Sequence, residues 1–447
     1  MNKGLKRELT AIVGEDRATD EPLDLAACSF AGEQRPELAL YPISTDEVSR
    51  ILKVAHREEI PVTARGSADN SGRGTVAIPG GLVLVFSSMN KILEIDADNR
   101  TAILQPGVMN YDFRMEVEKS GLMYPPDPDS WETATMGGTV GANAGGLRTL
   151  KYGVTTDYLL GLTLVLANGD ILKTGGRAIK NVTGYDLTRL MCGSQGTLGL
   201  VTEIIVRLIP KPKAVCAIRA DFRAPGDSAD AVAEMIAQGV IPAGLELMDK
   251  AVLRAVEAET HVGLATDVGA MLLIEVDGDP ATLEIQVKKI EKILQEKNAA
   301  GIVRVDKPED TDKLLNAGRS AFRAIDGIRP KPIIEDLTVA VSNLPAMVRE
   351  LERISEEHKI QIGVLAFGGR GALRPVIFLE ERDKDEQARI EAVIEDIYRA
   401  ATEPGGAGPP PDTALFRGKA DDVALTLTRR IKQGLDPKGI LNPGRFV

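Results

Sequence analysis

The sequence predicts an α+β fold made of two parts with different patterns. In the first half, short strands and helices alternate around three glycine-rich stretches. From about Ala214 onward, longer helices alternate with strands at a spacing typical of a ferredoxin-like sheet with helices on one face. We therefore expect an N-terminal helical segment (residues 1–35), a first domain (36–212), a second domain (213–418) and a C-terminal helix and tail (419–447).

Composition narrows the class of protein. With 447 residues, of which 43% are hydrophobic, the chain can bury a large core. Its net charge of −11, without a long basic run, argues against nucleic acid or an anionic membrane as a partner. Cys28, Cys192 and Cys216 show neither metal-site nor redox spacing, which favours buried thiols in a reducing compartment. We find no signal peptide and no apolar run of the roughly 20 residues that span a bilayer. We expect a cytoplasmic protein whose route to a membrane is through partner subunits.

Local signals define the elements of the first half. Ser44 and Glu47 form an S-x-x-E capping box at the start of a helix with one apolar stripe. A strand over residues 60–64 then leads into a polar, glycine-containing loop, 65–74. Asn168-Gly169 between two apolar runs predicts a β-hairpin.

Helices and strands also alternate in the second half, beyond a proline pair at residues 210 and 212 that marks a domain boundary. Strands are expected near 214–221, 244–248, 270–276, 302–305, 333–341, 361–367 and 375–380. Helices are expected near 228–238, 280–297, 308–323, 344–358 and 384–401, with a C-terminal helix over about 420–433.

The glycine-rich stretches are the strongest functional signal. They are the loop 65–74, M-G-G-T-V-G-A-N-A-G-G from Met136, and G-S-Q-G-T-L-G from Gly193. Glycine lets another group approach the backbone closely, and successive N–H groups in such a loop can bind an anion. Together the stretches indicate a backbone wrapped around a flat, phosphate-bearing ligand. The chain has neither G-x-G-x-x-G after its first strand nor a P-loop motif, so a nicotinamide or nucleoside-triphosphate site is not supported.

These stretches occur in order with Q-P-G-V from Gln105, D-P-D-S from Asp127 and G-Y-D-L from Gly184. The combination resembles the FAD-binding domain of the vanillyl-alcohol oxidase and p-cresol methylhydroxylase superfamily. With E-D-L-T-V-A from Glu335 and the C-terminal D-P-K-G-I-L-N-P-G-R, it is similar to the branch that holds glycolate oxidase flavin subunits and D-lactate dehydrogenases. The resemblance implies an FAD-binding domain over 36–212, a cap over 213–418, and a tail that returns to the FAD domain.

The resemblance also implies which residues hold FAD. The first loop would bind the pyrophosphate, and the later stretches would line the rest of the cofactor. The expected cofactor-binding residues are Arg65, Gly66, Ser67, Ala68, Asp69, Asn70, Pro128, Asp129, Ser130, Gly137, Gly138, Asn143, Gly145, Gly146, Tyr152, Gly153, Gly193, Ser194, Gly196, Thr197 and Val201. Family members that attach FAD covalently to the first loop use a histidine there. This loop has none, so we expect non-covalent FAD.

The cap departs from the family pattern where the family binds a divalent metal. The family's H-A-G-D-G-N-L-H reads F-G-G-R-G-A-L-R-P here, with Arg374 at the place of the last histidine. Its glutamate–histidine segment reads G-G-A-G-P-P-P-D-T from Gly405, which includes Asp412. None of the three histidines lies in either segment, so we expect no metal. The adjacent acids Glu335 and Asp336 would point to opposite faces of a strand and cannot form a metal cage alone.

Two functional hypotheses remain open. In the first, the chain is a dehydrogenase of small 2-hydroxy acids that transfers a hydride from the substrate carbon to flavin N5 and passes the electrons to a protein or quinone acceptor. Arg319 matches the family arginine that binds the substrate carboxylate, Arg374 is a second anchor, and Asp412 or Asp336, with a pKa raised by burial, is the base. In the second, the chain is a non-catalytic or electron-relaying flavin subunit. An iron–sulfur or electron-transfer flavoprotein partner would carry the next redox centre, since the chain has no iron–sulfur cysteine cluster.

Overall fold

The computed structural model describes residues 1–28, 35–67, 77–379, 384–402 and 422–445. The helices in these ranges are α1 (Lys3–Val13), α2 (Pro22–Ala27), α3 (Thr45–Glu58), α4 (Asn110–Glu118), α5 (Met136–Ala142), α6 (Thr149–Tyr152), α7 (Thr155–Tyr158), α8 (Leu187–Met191), α9 (Pro225–Ala237), α10 (Lys250–Thr260), α11 (Pro280–Glu296), α12 (Pro308–Arg319), α13 (Ala321–Asp326), α14 (Leu344–His358), α15 (Lys384–Thr402) and α16 (Asp422–Leu435). The strands are β1 (Ala18–Thr19), β2 (Leu38–Leu40), β3 (Val62–Arg65), β4 (Leu82–Val85), β5 (Ile92–Asp96), β6 (Thr101–Leu104), β7 (Leu122–Met123), β8 (Leu159–Val165), β9 (Ile171–Gly175), β10 (Leu200–Arg207), β11 (Ile209–Pro210), β12 (Ala214–Phe222), β13 (Gly244–Asp249), β14 (Ala270–Gly278), β15 (Gly301–Val305), β16 (Ile333–Ile334), β17 (Leu337–Thr338), β18 (Ile362–Phe367) and β19 (Ala372–Ile377).

The chain divides into two compact units. The first comprises Met1–Gly145, Val154–Lys211 and Ala420–Val447, and the second comprises Gly146–Gly153 and Pro212–Lys419. The short segment of α6 therefore belongs with the second unit. Together they show the mixed α+β composition predicted from the sequence, while the four domain limits given above stay predictions. Among the helices that the structure describes, none is long and apolar enough to cross a membrane.

Two main sheets build the first unit. In the four-stranded sheet, ordered β1-β2-β4-β3, the inner strands run parallel, and α3 packs its apolar stripe into the adjoining core. The five-stranded sheet, ordered β5-β6-β10-β8-β9, is antiparallel. The chain near the end of α16 joins the first sheet, since Val62 N donates to Ile440 O at 2.7 Å and Asn442 N donates to Val62 O at 2.9 Å.

Two local predictions can be checked directly in this unit. Ser44 caps α3 as expected, with its hydroxyl accepting from Glu47 N at 3.2 Å. The Glu47 carboxylate instead accepts from Ile43 N at 2.9 Å and pairs with Arg17. The Asn168-Gly169 hairpin is confirmed, because β8 and β9 pair antiparallel on either side of it and Gly169 has φ +85°.

The second unit is built on an eight-stranded sheet. Seven strands follow the order β15-β12-β14-β13-β18-β19-β16, and β17 also pairs with β19. One face packs on α9, α11, α14 and α15, and the other on α10, α12 and α13. Neighbouring residues such as Leu272 and Leu273 belong to the two different cores, as the alternation of side chains along a strand requires. The expectation of helices on one face was therefore wrong: both faces are covered.

Candidate flavin site

A single cavity in the first unit gathers the glycine-rich stretches. It contains about 1010 Å³ of empty space, open solvent at its mouth included. Its wall is formed by Ala64, Arg65, Gly66, Ser67, Phe86, Pro106, Pro128, Ser130, Ala134, Thr135, Gly137, Gly138, Thr139, Gly141, Ala142, Ala144, Met191, Ser194, Gln195, Gly196, Gly199, Leu200, Val201 and Asn442. The end of β3, the helix α5 and the start of β10 thus face one space.

Backbone hydrogen bonds hold the second and third glycine-rich stretches together. Gly193 N donates to Val140 O at 2.9 Å, and Gln195 N donates to Gly141 O at 3.0 Å. Asn143 ends α5 in the left-handed region, with φ +48°, and its Oδ1 accepts from Thr156 N at 3.0 Å. Two stretches about 50 residues apart therefore form one wall.

Close approach explains the glycine at the first stretch. A Cβ atom placed on Gly66 would lie 2.3 Å from Thr135 Oγ1, far inside van der Waals contact. Thr135 is itself fixed, because its hydroxyl caps α5 by accepting from Gly138 N at 3.2 Å. With the Thr135 hydroxyl in this position, glycine at position 66 lets the first loop pass across the start of α5 without a clash.

Residues near the end of the chain hold the first and third stretches in place. Asn442 Oδ1 accepts from Ala64 N at 3.3 Å, and its Nδ2 donates to Gln195 O. The buried Asp436 carboxylate accepts from Leu441 N at 2.8 Å and pairs with Lys432. Lys432 Nζ also donates to Thr197 O at 2.8 Å, and burial lowers the pKa of this ammonium group. The D-P-K-G-I-L-N-P-G-R motif is thus a clamp on the cavity wall.

The structure brings many of the sequence-predicted cofactor residues to this cavity. Those in its wall are Arg65, Gly66, Ser67, Pro128, Ser130, Gly137, Gly138, Ser194, Gly196 and Val201. Those of the first unit outside the wall are Asp129, Asn143, Gly145, Gly193 and Thr197. Gly146, Tyr152 and Gly153 belong to the second unit. Ala68, Asp69 and Asn70 lie outside the described residues.

Sequence reasoning missed part of the wall. Phe86, Pro106, Thr135, Met191 and Asn442 face the cavity but were not predicted to. Two of these residues could have been predicted, because they lie in motifs that supported the family resemblance. Pro106 lies in the quoted Q-P-G-V motif, and Asn442 lies in the C-terminal motif that supported the resemblance. Phe86 and Met191 are ordinary apolar residues whose position only the fold reveals.

Residues 146–153, which belong to the second unit, form ion pairs and hydrogen bonds with buried acidic side chains of that unit. Arg148 makes hydrogen bonds of 2.7 to 3.0 Å to the buried Glu275 carboxylate. Lys151 pairs with Asp277, and Tyr152 OH donates to Asp277 Oδ2 at 2.7 Å. Burial, followed by the bond to Asp277, raises the pKa of Tyr152 well above its ordinary value, so its phenol stays protonated.

Arg319 and Arg374 lie in one region of the second unit. Arg319 is buried at the end of α12, and its Nη1 donates to Asn316 Oδ1 at 2.9 Å. The Arg374 guanidinium carbon lies 5.4 Å from the ring centre of Phe322, which follows closely after Arg319 on α13, and 5.0 Å from that of Phe367. Both are cation–π distances.

The acids near Arg374 differ in exposure. Arg374 Nε donates to Asp336 Oδ1 at 2.8 Å, and the Asp336 side chain is 67% exposed. The burial that its role as a base required is therefore missing. Glu335 is buried and accepts from Tyr398 OH, so the two acids do point to different surroundings. Asp412, the other proposed base, lies outside the described residues.

Two observations bear on the divalent metal that the family pattern implies. Among the described residues, no three His, Cys, Asp or Glu side chains are placed to hold a metal ion. Arg374 brings a fixed positive charge to the place of a family ligand, and a guanidinium has no lone pair to donate.

Comparisons with known proteins agree over the whole chain. Residues 36–175 match the model of an FAD binding domain, and residues 211–408 and 412–446 match that of the C-terminal domain of FAD linked oxidases. The chain is 40% identical to glycolate oxidase subunit GlcD of Bacillus subtilis (strain 168), covering 100% of this chain and 97% of that protein. It is 31% identical to a D-lactate dehydrogenase of Anaerostipes hadrus, covering 97% and 93%.

Among solved structures, p-cresol methylhydroxylase with substrate bound is similar, with a TM-score of 0.82 at 18% identity over 100% of this chain and 97% of that one, a likeness of fold alone. The family predicted from the sequence motifs is confirmed. The chain belongs to the FAD-linked oxidases, and its cofactor is FAD.

Proposed function

We propose that the chain oxidises a small 2-hydroxy acid to the 2-oxo acid, with FAD held in the cavity of the first unit. The observation that carries the proposal is this cavity, whose wall combines three glycine-rich stretches with Arg65 and Ser67. At this wall, Gly66 lets the first loop pass close to the Thr135 hydroxyl, where a Cβ atom would clash. A flat cofactor with a pyrophosphate suits such a wall, since backbone N–H groups and one guanidinium can bind the phosphates.

The proposal includes a non-covalent flavin. None of the three histidines is in the first loop: His56 lies on α3, His261 ends α10 and His358 ends α14. The thiol closest in sequence to the third stretch is Cys192, and burial raises its pKa to about 11, which leaves it unreactive. Acid precipitation of the yellow protein is expected to leave all the flavin in the supernatant.

The substrate class follows from the relatives and from the arginines of the second unit. The similar proteins are named for glycolate and D-lactate, both small 2-hydroxy carboxylates. A carboxylate is recognised best by a guanidinium, which offers two parallel N–H donors. We assign this role to Arg319, with Arg374 as the second anchor; Phe322 and Phe367 orient the Arg374 guanidinium.

FAD bound in the cavity would supply the two-electron acceptor for the hydride on substrate C2. Side chains of this protein orient the substrate and accept its proton. Arg319 and Arg374 hold the carboxylate and so orient the C2–H bond, and Asp412 accepts the proton of the 2-hydroxyl group. We propose that no divalent metal takes part, because Arg374 stands in place of a metal ligand.

The electrons then leave for another protein. The Bacillus relative is named as a subunit. We propose that this chain likewise works in a complex, in the cytoplasm, with an iron–sulfur or electron-transfer flavoprotein partner. Any iron–sulfur centre would lie on that partner, because the three cysteines are buried and separate and cannot hold a cluster.

Anaerobic bleaching of the flavin tests the proposal. The FAD-loaded protein is mixed with a panel of D- and L-2-hydroxy acids, once with EDTA and once with added Mn²⁺ or Zn²⁺, and the flavin absorbance is followed. Bleaching by at least one acid at equal rates under both conditions is expected. A flavin that stays oxidised with every acid would support the electron-relaying subunit instead. Bleaching only with added metal would contradict the metal-free site.

A further inference from the structure

A buried ion pair lies next to the wall of the flavin cavity. Arg114 Nη1 of α4 donates to Asp127 Oδ1 at 2.7 Å, and the two side chains are 8% and 0% exposed. The residue after Asp127 is Pro128, which faces the cavity. A carboxylate taken out of water is costly unless it is paired, so the D-P-D-S motif depends on a charged partner at its first residue.

The pair stands at the start of one segment of the cavity wall, residues 127–135. Four residues of this segment face the cavity: Pro128, Ser130, Ala134 and Thr135. Inside the segment, Trp131 N donates to Pro128 O at 2.9 Å and Ala134 N donates to Ser130 O at 2.7 Å. These main-chain bonds set the shape of the segment, but they do not set its place in the first unit.

Helix α4 holds the segment at both ends. Near the end of the segment, Asn110 N donates to Ala134 O at 2.8 Å. At its start, Arg114 holds Asp127. Residues 110 and 114 are four apart and therefore neighbours on one side of the helix. One side of α4 thus sets the place of the whole segment.

The Arg114 guanidinium also lies against the only tryptophan of the chain. Its carbon is 5.2 Å from the ring centre of Trp131, which is a cation–π distance. A planar guanidinium can lie on a ring and bind a carboxylate at the same time, whereas an ammonium group offers only a point charge. The arginine therefore contacts the segment at two of its residues.

Stability alone does not account for an ion pair at this place. Taking two charges out of water costs about as much as their attraction returns, so apolar side chains of similar volume are often equally stabilising. A guanidinium and a carboxylate differ from apolar side chains in fixing a direction, because their hydrogen bonds have a preferred geometry.

We propose that Arg114 is a positioning residue for FAD. By holding Asp127, it sets the place of residues 127–135, and with them Ser130 in the wall and Thr135, which caps α5. The proposal rests on the proposed binding of FAD in this cavity, but it does not depend on the substrate.

The test compares the FAD-free parent protein with Arg114→Met and Arg114→Met/Asp127→Leu, by thermal unfolding and by titration with FAD. Arg114→Met should lower both the melting temperature and the FAD affinity, because it removes this partner from a buried carboxylate. The double variant should regain the melting temperature of the parent, because neither charge remains. Its FAD Kd should stay roughly tenfold above that of the parent, as expected for the loss of about one hydrogen bond to the cofactor.

Two further variants separate positioning from stability. Arg114→Lys keeps the charge but not the planar group, so its FAD Kd should lie between those of the parent and the double variant. Arg17→Met, which breaks the pair with Glu47 in the same unit, is the matched control and should leave the FAD Kd unchanged. At saturating FAD, the visible circular dichroism of the flavin should differ from that of the parent in the double variant and agree with it in Arg17→Met.

A double variant that recovers both the melting temperature and the FAD affinity overturns the proposal, because the pair then serves stability alone. If the double variant does not recover its melting temperature, Arg114→Lys decides, and an FAD Kd equal to that of the parent overturns the proposal.

Gly141→Phe tests the cavity itself. Gly141 lies in the wall, and a Cβ atom there meets no other atom within 4 Å, so a large side chain has room to enter the space. FAD binding at the parent affinity in this variant would show that FAD lies elsewhere, which is a failure of the proposed function. A loss of binding in Gly141→Phe with parent-like affinity in the Arg114 variants is a failure of the positioning role alone.

Discussion

The close approach of Gly66 to Thr135 gives a sharp prediction about cofactor binding. In Gly66→Ala, the new Cβ would lie 2.3 Å from Thr135 Oγ1 and 3.6 Å from Thr135 Cβ. Only the first distance is a clash, so one hydroxyl oxygen causes the problem. Forcing an extra methyl group into a packed site costs about 1–3 kcal/mol, which corresponds to a rise in the FAD Kd of roughly 5- to 150-fold if the loop yields in place of the helix.

Removing the hydroxyl should rescue the variant. Thr135→Ala alone loses the cap on Gly138 N and costs about 1 kcal/mol of stability. In Gly66→Ala/Thr135→Ala the clash is gone, so the double variant should bind FAD about as well as Thr135→Ala. Gly66→Ala/Thr135→Ser is the matched control, because serine keeps both the oxygen and the clash.

The assay is titration of the FAD-free protein with FAD, followed by quenching of flavin fluorescence, with thermal unfolding measured in parallel. The reasoning fails if Gly66→Ala binds FAD as tightly as the parent protein does. It fails equally if the losses in the double variant simply add, since additive effects are expected only for sites that do not touch.

Three more predictions follow from the clamp, the second unit and a buried acid. Asn442→Ala should lose two hydrogen bonds, which together contribute roughly 2 kcal/mol, and the loss is measured as FAD affinity and melting temperature. Alanine is also strained at this position, because residue 442 has φ +40°. Asn442→Gly avoids this backbone strain, so an alanine variant no worse than the glycine variant would contradict the account. Arg319→Lys should raise KM for the hydroxy acid roughly tenfold or more while the FAD Kd stays constant, and an equal change in both would show a structural role. Burial raises the pKa of Asp249, the cap of α10, to about 6. Its protonated form is thus favoured on folding, and the contribution to stability is lost as pH rises through 6. Between pH 7 and pH 5 the parent should gain about 1.4 kcal/mol relative to Asp249→Asn in chemical unfolding of the second unit, and identical pH profiles would refute the assignment.

Local features were predictable from the sequence, and distant contacts were not. The Asn168-Gly169 hairpin and the Ser44 cap depend on a few neighbouring residues, and both formed as predicted. The contact of Gly66 with Thr135 joins residues far apart in the chain, so no local pattern could reveal it. The clamp by Asn442 on Ala64 spans 378 positions.

The two-sided covering of the second sheet was also hidden, because β14 is buried on both faces. Its residues from Ala270 to Val276 are nearly all apolar, apart from Glu275. Such a run lacks the polar alternation that would mark one face as exposed, and it does not show how many layers of helix cover it. The glycine-rich stretches, in contrast, predicted a flat, phosphate-bearing ligand, and the match to an FAD binding domain confirms it.

The clamp near residue 442 has a consequence for biosynthesis. The backbone that closes the cavity wall against β3 is translated only after all of residues 212–419 have been synthesised. At translation rates of about 5–20 residues per second, the growing chain spends at least ten seconds with its glycine-rich stretches made but without their last support. The cavity wall is therefore completed only at the end of synthesis, when the residues after α16 are added.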